Sequence, residues 1–159
     1  MRKHHVYARG SIMSFSLNMF RAASIAALGA FSAGPAFAQD NPEFVLELNN
    51  AAETAAGDCR LTYVASNRTG QELGQTAYEV AVFNAAGVVS RILVLEFGAL
   101  TVGKTKIVQF DLGGQPCTDI SRIVVNDVAD CALADGSGQG DFCLSGLVTE
   151  SKNTIQFGI

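Results

Sequence analysis

The sequence predicts an all-β protein, an antiparallel β-sandwich of about seven strands in the immunoglobulin or fibronectin type III style. Three observations carry that expectation. Apolar residues come in short runs that alternate with polar ones, the two-residue period of a strand with one face buried. Gly, Asn, Asp and Pro punctuate these runs at turn spacing. Beyond residue 38 no stretch carries the apolar stripe of an amphipathic helix. One face of each sheet then packs inward while the other meets water. A small closed barrel is the main competing architecture.

The first element is a targeting segment. Residues 1–21 carry Arg2, Lys3, Arg9 and Arg21 and no acid, and a short apolar run from Ala22 leads to a Gly-Pro break at Gly34-Pro35. Ala36-Phe37-Ala38 then offers an A-x-A site before Gln39, so cleavage is expected after Ala38. The apolar run is short and rich in Gly and Ser for a bilayer span, so no stable membrane anchor is expected after cleavage. There is no twin arginine and no cysteine at the cleavage point, which disfavours twin-arginine export and a lipid anchor. Met13 and Met19 are alternative starts. The expected division is residues 1–38 as signal peptide and 39–159 as one sandwich domain, in a periplasmic or secreted setting.

The strands follow in order. Phe44–Leu48 is the first. After an Ala-rich loop ending at Gly57-Asp58 comes Cys59–Ser66, with Leu61, Tyr63 and Ala65 on one face. Ala77–Phe83 sets Tyr78, Val80 and Val82 together, and Asn84-Ala85-Ala86-Gly87 reads as a tight turn, Asn first and Gly fourth. Val88–Phe97 and Lys104–Leu112 are the fourth and fifth strands, the latter with Lys106, Val108, Phe110 and Leu112 on one face. Ile120–Val128 and Phe142–Thr149 complete the set, with a tail strand at Thr154–Phe157.

Cys59, Cys117, Cys131 and Cys143 all lie beyond the cleavage point, and an even count in an exported chain argues for two disulfides. Four cysteines permit three pairings. In sandwich order the second strand begins near where the fifth ends, which brings Cys59 to Cys117. A hairpin of the sixth and seventh strands would bring Cys131 opposite Cys143. Zinc and redox chemistry are disfavoured: the closest cysteine spacing is 131 to 143, and there is no C-x-x-C.

Charge narrows the function. Residues 39–159 hold all fifteen acids but only seven of the eleven basic residues, a formal charge of −8. Such a surface repels nucleic acid and anionic lipid. Both histidines, His4 and His5, sit in the leader, so the domain lacks the usual general base and the commonest metal ligand.

Four motifs invite chemistry. Gly98-Ala-Leu-Thr-Val-Gly103-Lys104-Thr105 matches the phosphate-loop letters, but the β-branched and aromatic run after Lys104 predicts a strand where that chemistry needs a helix N-terminus. No cofactor is expected. Asp135 and Asp141 flank a Gly-rich loop with Asp130 close by, a conceivable calcium set that lacks EF-hand spacing. Asn67-Arg68-Thr69 is a glycosylation sequon that reads more simply as a turn before Gly70. Asp111 and Asp127 could pair for acid–base work, but read as loop-starting residues at strand ends.

The stretch from Cys59 to Cys131 carries C-R-L-T-Y-V-x-x-N, Y-E-V-A-V-F-N-x-x-G-V and L-E-F-G-A-L-x-x-G-K-T, then Q-F-D-L, Cys117 and I-S-R-I-V-V-N-D. It resembles an uncharacterised family of small exported proteins of Gram-negative bacteria, some labelled as Tat-signal domain proteins. The rhythm of its strands and turns is also similar to FxLYD-type sandwich domains. The resemblance implies a periplasmic, disulfide-bonded sandwich and supplies no catalytic residues. The function expected is therefore a non-enzymatic binding or interaction module of the cell envelope, with an unknown protein partner. An inhibitor of a secreted or periplasmic protease is the alternative, and a small hydrolase a remote one. A binding module should show a groove or an apolar patch on one sheet face.

Overall fold

The computed structural model describes residues 43–159, so the expected signal segment and its cleavage residues Ala36, Ala38 and Gln39 lie outside the described residues. Eight strands run in order: β1 (Phe44–Glu53), β2 (Cys59–Asn67), β3 (Leu73–Asn84), β4 (Val89–Glu96), β5 (Thr105–Leu112), β6 (Ile120–Leu133), β7 (Leu147–Ser151) and β8 (Gln156–Gly158). A 3₁₀ turn at Cys117–Asp119 precedes β6, and one helical turn, α1 (Phe142–Ser145), precedes β7. The strands form two four-stranded sheets, ordered β5-β2-β1-β7 and β4-β3-β6-β8.

Alternation built the core as expected. Cys59, Leu61, Tyr63 and Ala65 of β2 and Tyr78, Val80 and Val82 of β3 are all buried, each set on one face of its strand. Full burial of each larger side chain contributes roughly 1.5–3 kcal/mol. The two inner faces meet through aromatic contacts: Phe44 stacks on Tyr78 at 5.9 Å, and Tyr63 meets Phe97 and Phe157 edge-on at 5.7 and 5.2 Å. The turn after β3 also stands as read. Asn84 Oδ1 accepts from the N–H groups of Ala86 and Val88, and Gly87 takes φ +75°, a conformation that strains any residue with a Cβ.

Several expectations need correction. The sheets are mixed, because β7 pairs parallel to β1 and β8 parallel to β6. There are eight strands, the eighth being the tail strand shifted to Gln156–Gly158. The predicted strand at Phe142–Thr149 begins as a helical turn, and β7 covers only Leu147–Ser151. β6 and β7 form no hairpin, since they belong to different sheets. β1 runs on to Glu53, because a bulge after Leu48 lets Ala51, Ala52 and Glu53 keep pairing with β2. Alanine is a poor strand former; a long partner strand overrides that preference. β6 runs past Val128 to Leu133, with register shifts that leave Asn126 and Ala129 unopposed.

Both disulfides pair as predicted, Cys59–Cys117 and Cys131–Cys143. The first follows the expected geometry, Cys59 lying opposite Leu112 at the end of β5. The second forms by another route. Residues 134–141 fold back so that the Gly140 N–H donates to the Cys131 carbonyl, and α1 presents Cys143. A Cβ on Gly140 would lie 2.6 Å from the Phe142 ring, so any larger residue there must push that ring aside. Each bridge clasps a passage between sheets: Cys117 lies between β5 and β6, and Cys143 between β6 and β7.

Candidate interaction face

The outer face of the second sheet is built by the residues that alternate with its core. Tyr78, Val80 and Val82 point in, so Glu79, Ala81 and Phe83 of β3 point out. On β6, Val124 lies between the buried Ile123 and Val125 and also faces out. Pairing then sets Ile92, Ala81 and Val124 side by side across three strands, with Gly158 beyond. Val94, Glu79 and Asp127 form the row on one side; Val89, Phe83 and Arg122 form the row on the other. Ile92 is 58 % exposed and Val94 48 %. The Arg122 guanidinium lies 3.9 Å over the Phe83 ring, a cation–π contact that closes the patch at its basic end.

The outer face of the first sheet is assembled differently. Polar side chains pair across neighbouring strands: Ser66 with Thr105 at 3.0 Å, Gln109 Nε2 donating to Thr62 at 3.0 Å, and Arg60 with Asp111 through two contacts of 2.7 Å. The Arg60 guanidinium holds the Asp111 carboxyl below the ordinary carboxylate range. Lys152 reaches Glu150 at 3.4 Å and Glu47 at 3.5 Å. Ile107, 68 % exposed, is the large apolar residue of that face furthest into solvent.

The residues singled out from sequence fall as follows. Gly98 and Gly103 occupy a loop with φ +69° and +70°, and Thr105 starts β5, so the phosphate-loop letters form a strand connection. Lys104 is exposed, whereas Lys106, on the face of Val108 and Phe110, is half-buried and donates to the Phe97 carbonyl at 2.6 Å. Asn67 is buried: its amide donates to the carbonyls of Gln71 and Leu100 and its Oδ1 accepts from Thr69, the turn that its sequence suggested. A glycan on that nitrogen would have to displace both hydrogen bonds.

Asp111 and Asp127 lie within β5 and β6, not at loop starts, and on different sheets, so they form no acid–base pair. Asp135 sits at the loop tip, where Ser137 hydrogen bonds hold its carboxyl below the ordinary range. Asp141 closes the far end of that loop, and one Asp130 oxygen is buried without a hydrogen-bond partner among the described residues. Among the described residues, no three His, Cys, Asp or Glu side chains gather in an arrangement that could hold a metal. A surface hollow of about 360 Å³ beside the second disulfide is lined by Asp127, Val128, Gln139, Asp141 and Leu144 among others. It brings two carboxylates near an apolar wall but neither a base nor a nucleophile oriented by a partner.

The outer row of Ile92, Ala81 and Val124 was missed as individual residues, although a patch on one sheet face was expected. The signal was present in β4, where Ile92-Leu93-Val94-Leu95 breaks alternation on a strand that has only one buried side. Among the described residues, no helix is long and apolar enough to cross a membrane. Two disulfides mark an oxidising, extracellular-type environment. No family profile, curated protein or solved structure matches the chain.

Proposed function

We propose that this chain is a non-enzymatic, exported interaction module of the cell envelope, which engages a protein partner through the outer face of the sheet β4-β3-β6-β8. The single observation that carries the reading is the apolar row Ile92, Ala81 and Val124, exposed at its Ile92 end and flanked by Val89 and Val94. Ala81 itself is buried and Val124 half-buried; it is the exposed Ile92 and Val94 that are costly in water unless something covers them. The strand orders β5-β2-β1 and β4-β3-β6 support a fibronectin type III-like reading of the sandwich, from which the parallel endings β7 and β8 depart. Periplasmic or secreted residence follows from the leader and the two bridges.

The inhibitor reading has less support. The stapled 131–143 loop carries Gly136 at φ +74° and Gly138 at φ +141°, a folded tip rather than the extended strand that a protease reads. The test of the binding reading is a photo-crosslinking residue placed at position 92 in the host. A discrete covalent adduct from 92, absent from position 107 on the other sheet, is the expected result. Failure to form any adduct from 92 overturns the reading.

A further inference from the structure

The two sheets have four edges, and they are not equally protected. β8 is three residues long, too short to template pairing. β7 is five residues long and is followed by Lys152, which is tied to Glu47 and Glu150. β5 has eight residues, but its inward face carries Lys106, whose ammonium is anchored at the Phe97 carbonyl. Short edges, flanking lysines and inward-pointing cations are the known ways to keep a sheet edge from pairing with another chain. β4 is neither short nor flanked by lysine, and its one inward cation, Arg91 opposite Val82, lies beside a bulge at Ser90 and donates to the Gly113 carbonyl at 2.9 Å, which leaves the regular run Ile92–Leu95 without a charge. It is eight residues long, Val-Ser-Arg-Ile-Leu-Val-Leu-Glu, without proline or lysine. Among the described residues, no backbone hydrogen bond reaches it from the side away from β3.

We propose that β4 is a self-pairing edge: a second copy of this chain docks its own β4 antiparallel to it, joining two four-stranded sheets into one of eight. The proposal rests on the binding reading above and names its partner. The sequence of β4 selects the occupant. A two-fold axis perpendicular to the sheet must oppose outward residues with outward and inward with inward. Centred on Leu93, it sets Ile92 opposite Val94 of the second copy, and Val94 opposite its Ile92, an apolar cluster of four on the outer face. Arg91 then opposes Leu95, and Ser90 opposes Glu96. Neighbouring centres do worse: on Arg91 the two guanidiniums meet, on Ile92 the second copy's Ser90 faces Val94, and on Val94 its Glu96 faces Ile92. Charge agrees with the Leu93 centre. The face has a basic end, at Arg122, and an acidic end, at Glu79, Glu96 and Asp127. The axis turns the acidic end of one copy towards the basic end of the other.

Seven residues a side make a small contact, below the roughly 1,200 Å² of a stable interface, so the expected Kd is on the order of 10 to 100 µM. Sedimentation equilibrium of the purified, oxidised protein from about 1 to about 500 µM tests this range. The mass should rise from one chain to two and stop there. Ile92→Lys and Val94→Lys, both at exposed positions, should each weaken the dimer by about tenfold or more, and Ile107→Lys on the other sheet should leave it unchanged. A single-chain mass throughout, a mass climbing beyond two chains, or a dimer indifferent to both β4 substitutions overturns the proposal. If the purified chain stays single while position 92 still yields an adduct in the host, self-pairing falls and the binding reading stands. If neither occurs, both fall.

Discussion

The two outer faces of this sandwich both expose apolar side chains, yet they differ in how much polar pairing surrounds them. On the first sheet polar pairs cross between strands, as Arg60 finds Asp111 and Ser66 finds Thr105, alongside two apolar pairs, Val64 with Ile107 and Val45 with Val148. On the second, Ile92, Ala81 and Val124 line up with no polar side chain between them. Folding does not require this, since β3 and β6 already bury Tyr78, Val80, Ile123 and Val125 on the inner side. Inner faces are dictated by the core; what differs between the outer faces is therefore evidence about use.

The largest way to break the contrast is to cut the clasps that hold both sheets in one frame. Loop-closure entropy gives the Cys59–Cys117 bridge, with a separation of 58, about 4 kcal/mol. The Cys131–Cys143 bridge, with a separation of 12, is worth about 3 kcal/mol on the same basis. Paired serine substitutions should lower the free energy of urea unfolding in that order. The reverse order would show that local packing around Gly140, not chain entropy, dominates.

A smaller effect separates two buried tyrosines, one from each sheet. Tyr78 donates to the Cys143 carbonyl at 2.7 Å, whereas the Tyr63 hydroxyl has no partner among the described residues. Tyr78→Phe should cost about 1–1.5 kcal/mol, and Tyr63→Phe should be neutral or stabilising by up to about 1 kcal/mol, read by thermal unfolding. Burial pushes both phenols above the ordinary value of 10.0. As pH rises past 10 the unfolded chain ionises while the folded one resists, so stability falls with pH in that window and is flat below it. Tyr63→Phe should shallow that alkaline slope.

Smaller still is the effect of the outer faces on folding. Ile92→Thr and Val94→Thr should leave stability within about 0.5 kcal/mol of the parent. They should nonetheless shorten retention on a hydrophobic column more than Ile107→Thr does, because Ile107 has a single apolar neighbour directly across from it, Val64, whereas Ile92 stands on a row that Ala81 and Val124 extend. The least effect is at acid pH. The folded Asp111 carboxyl titrates below its ordinary 3.8, so its contribution is present above 3.8 and fades as pH falls through the folded value. Asp111→Asn should blunt the acid limb of the stability curve slightly, since the Arg60 pair is exposed to solvent.

Much of this was legible in the sequence because it is local. Period-two burial in β2 and β3, the Asn84–Gly87 turn and the Asn67 turn are each set by residues within a few positions of one another. What was not legible depends on partners far along the chain. β1 continues through Ala51 and Ala52 because β2 is there to pair with it, and β7 runs parallel to β1 because the passage after β6 changes sheets. The helical turn at Phe142 arises where the disulfide and Gly140 force a tight return, which no alternation pattern encodes. The binding face was legible only in outline, since Ile92 and Val94 become a patch when Ala81 and Val124 are set beside them.

Amide hydrogen exchange on the two long edge strands tests the central claim most directly, comparing the protein in native envelope fractions with the purified, dilute chain. The account predicts slower exchange in the envelope across Val89–Glu96, with Thr105–Leu112 unchanged. Equal rates on Val89–Glu96 in both settings, or protection appearing on Thr105–Leu112 instead, would contradict it.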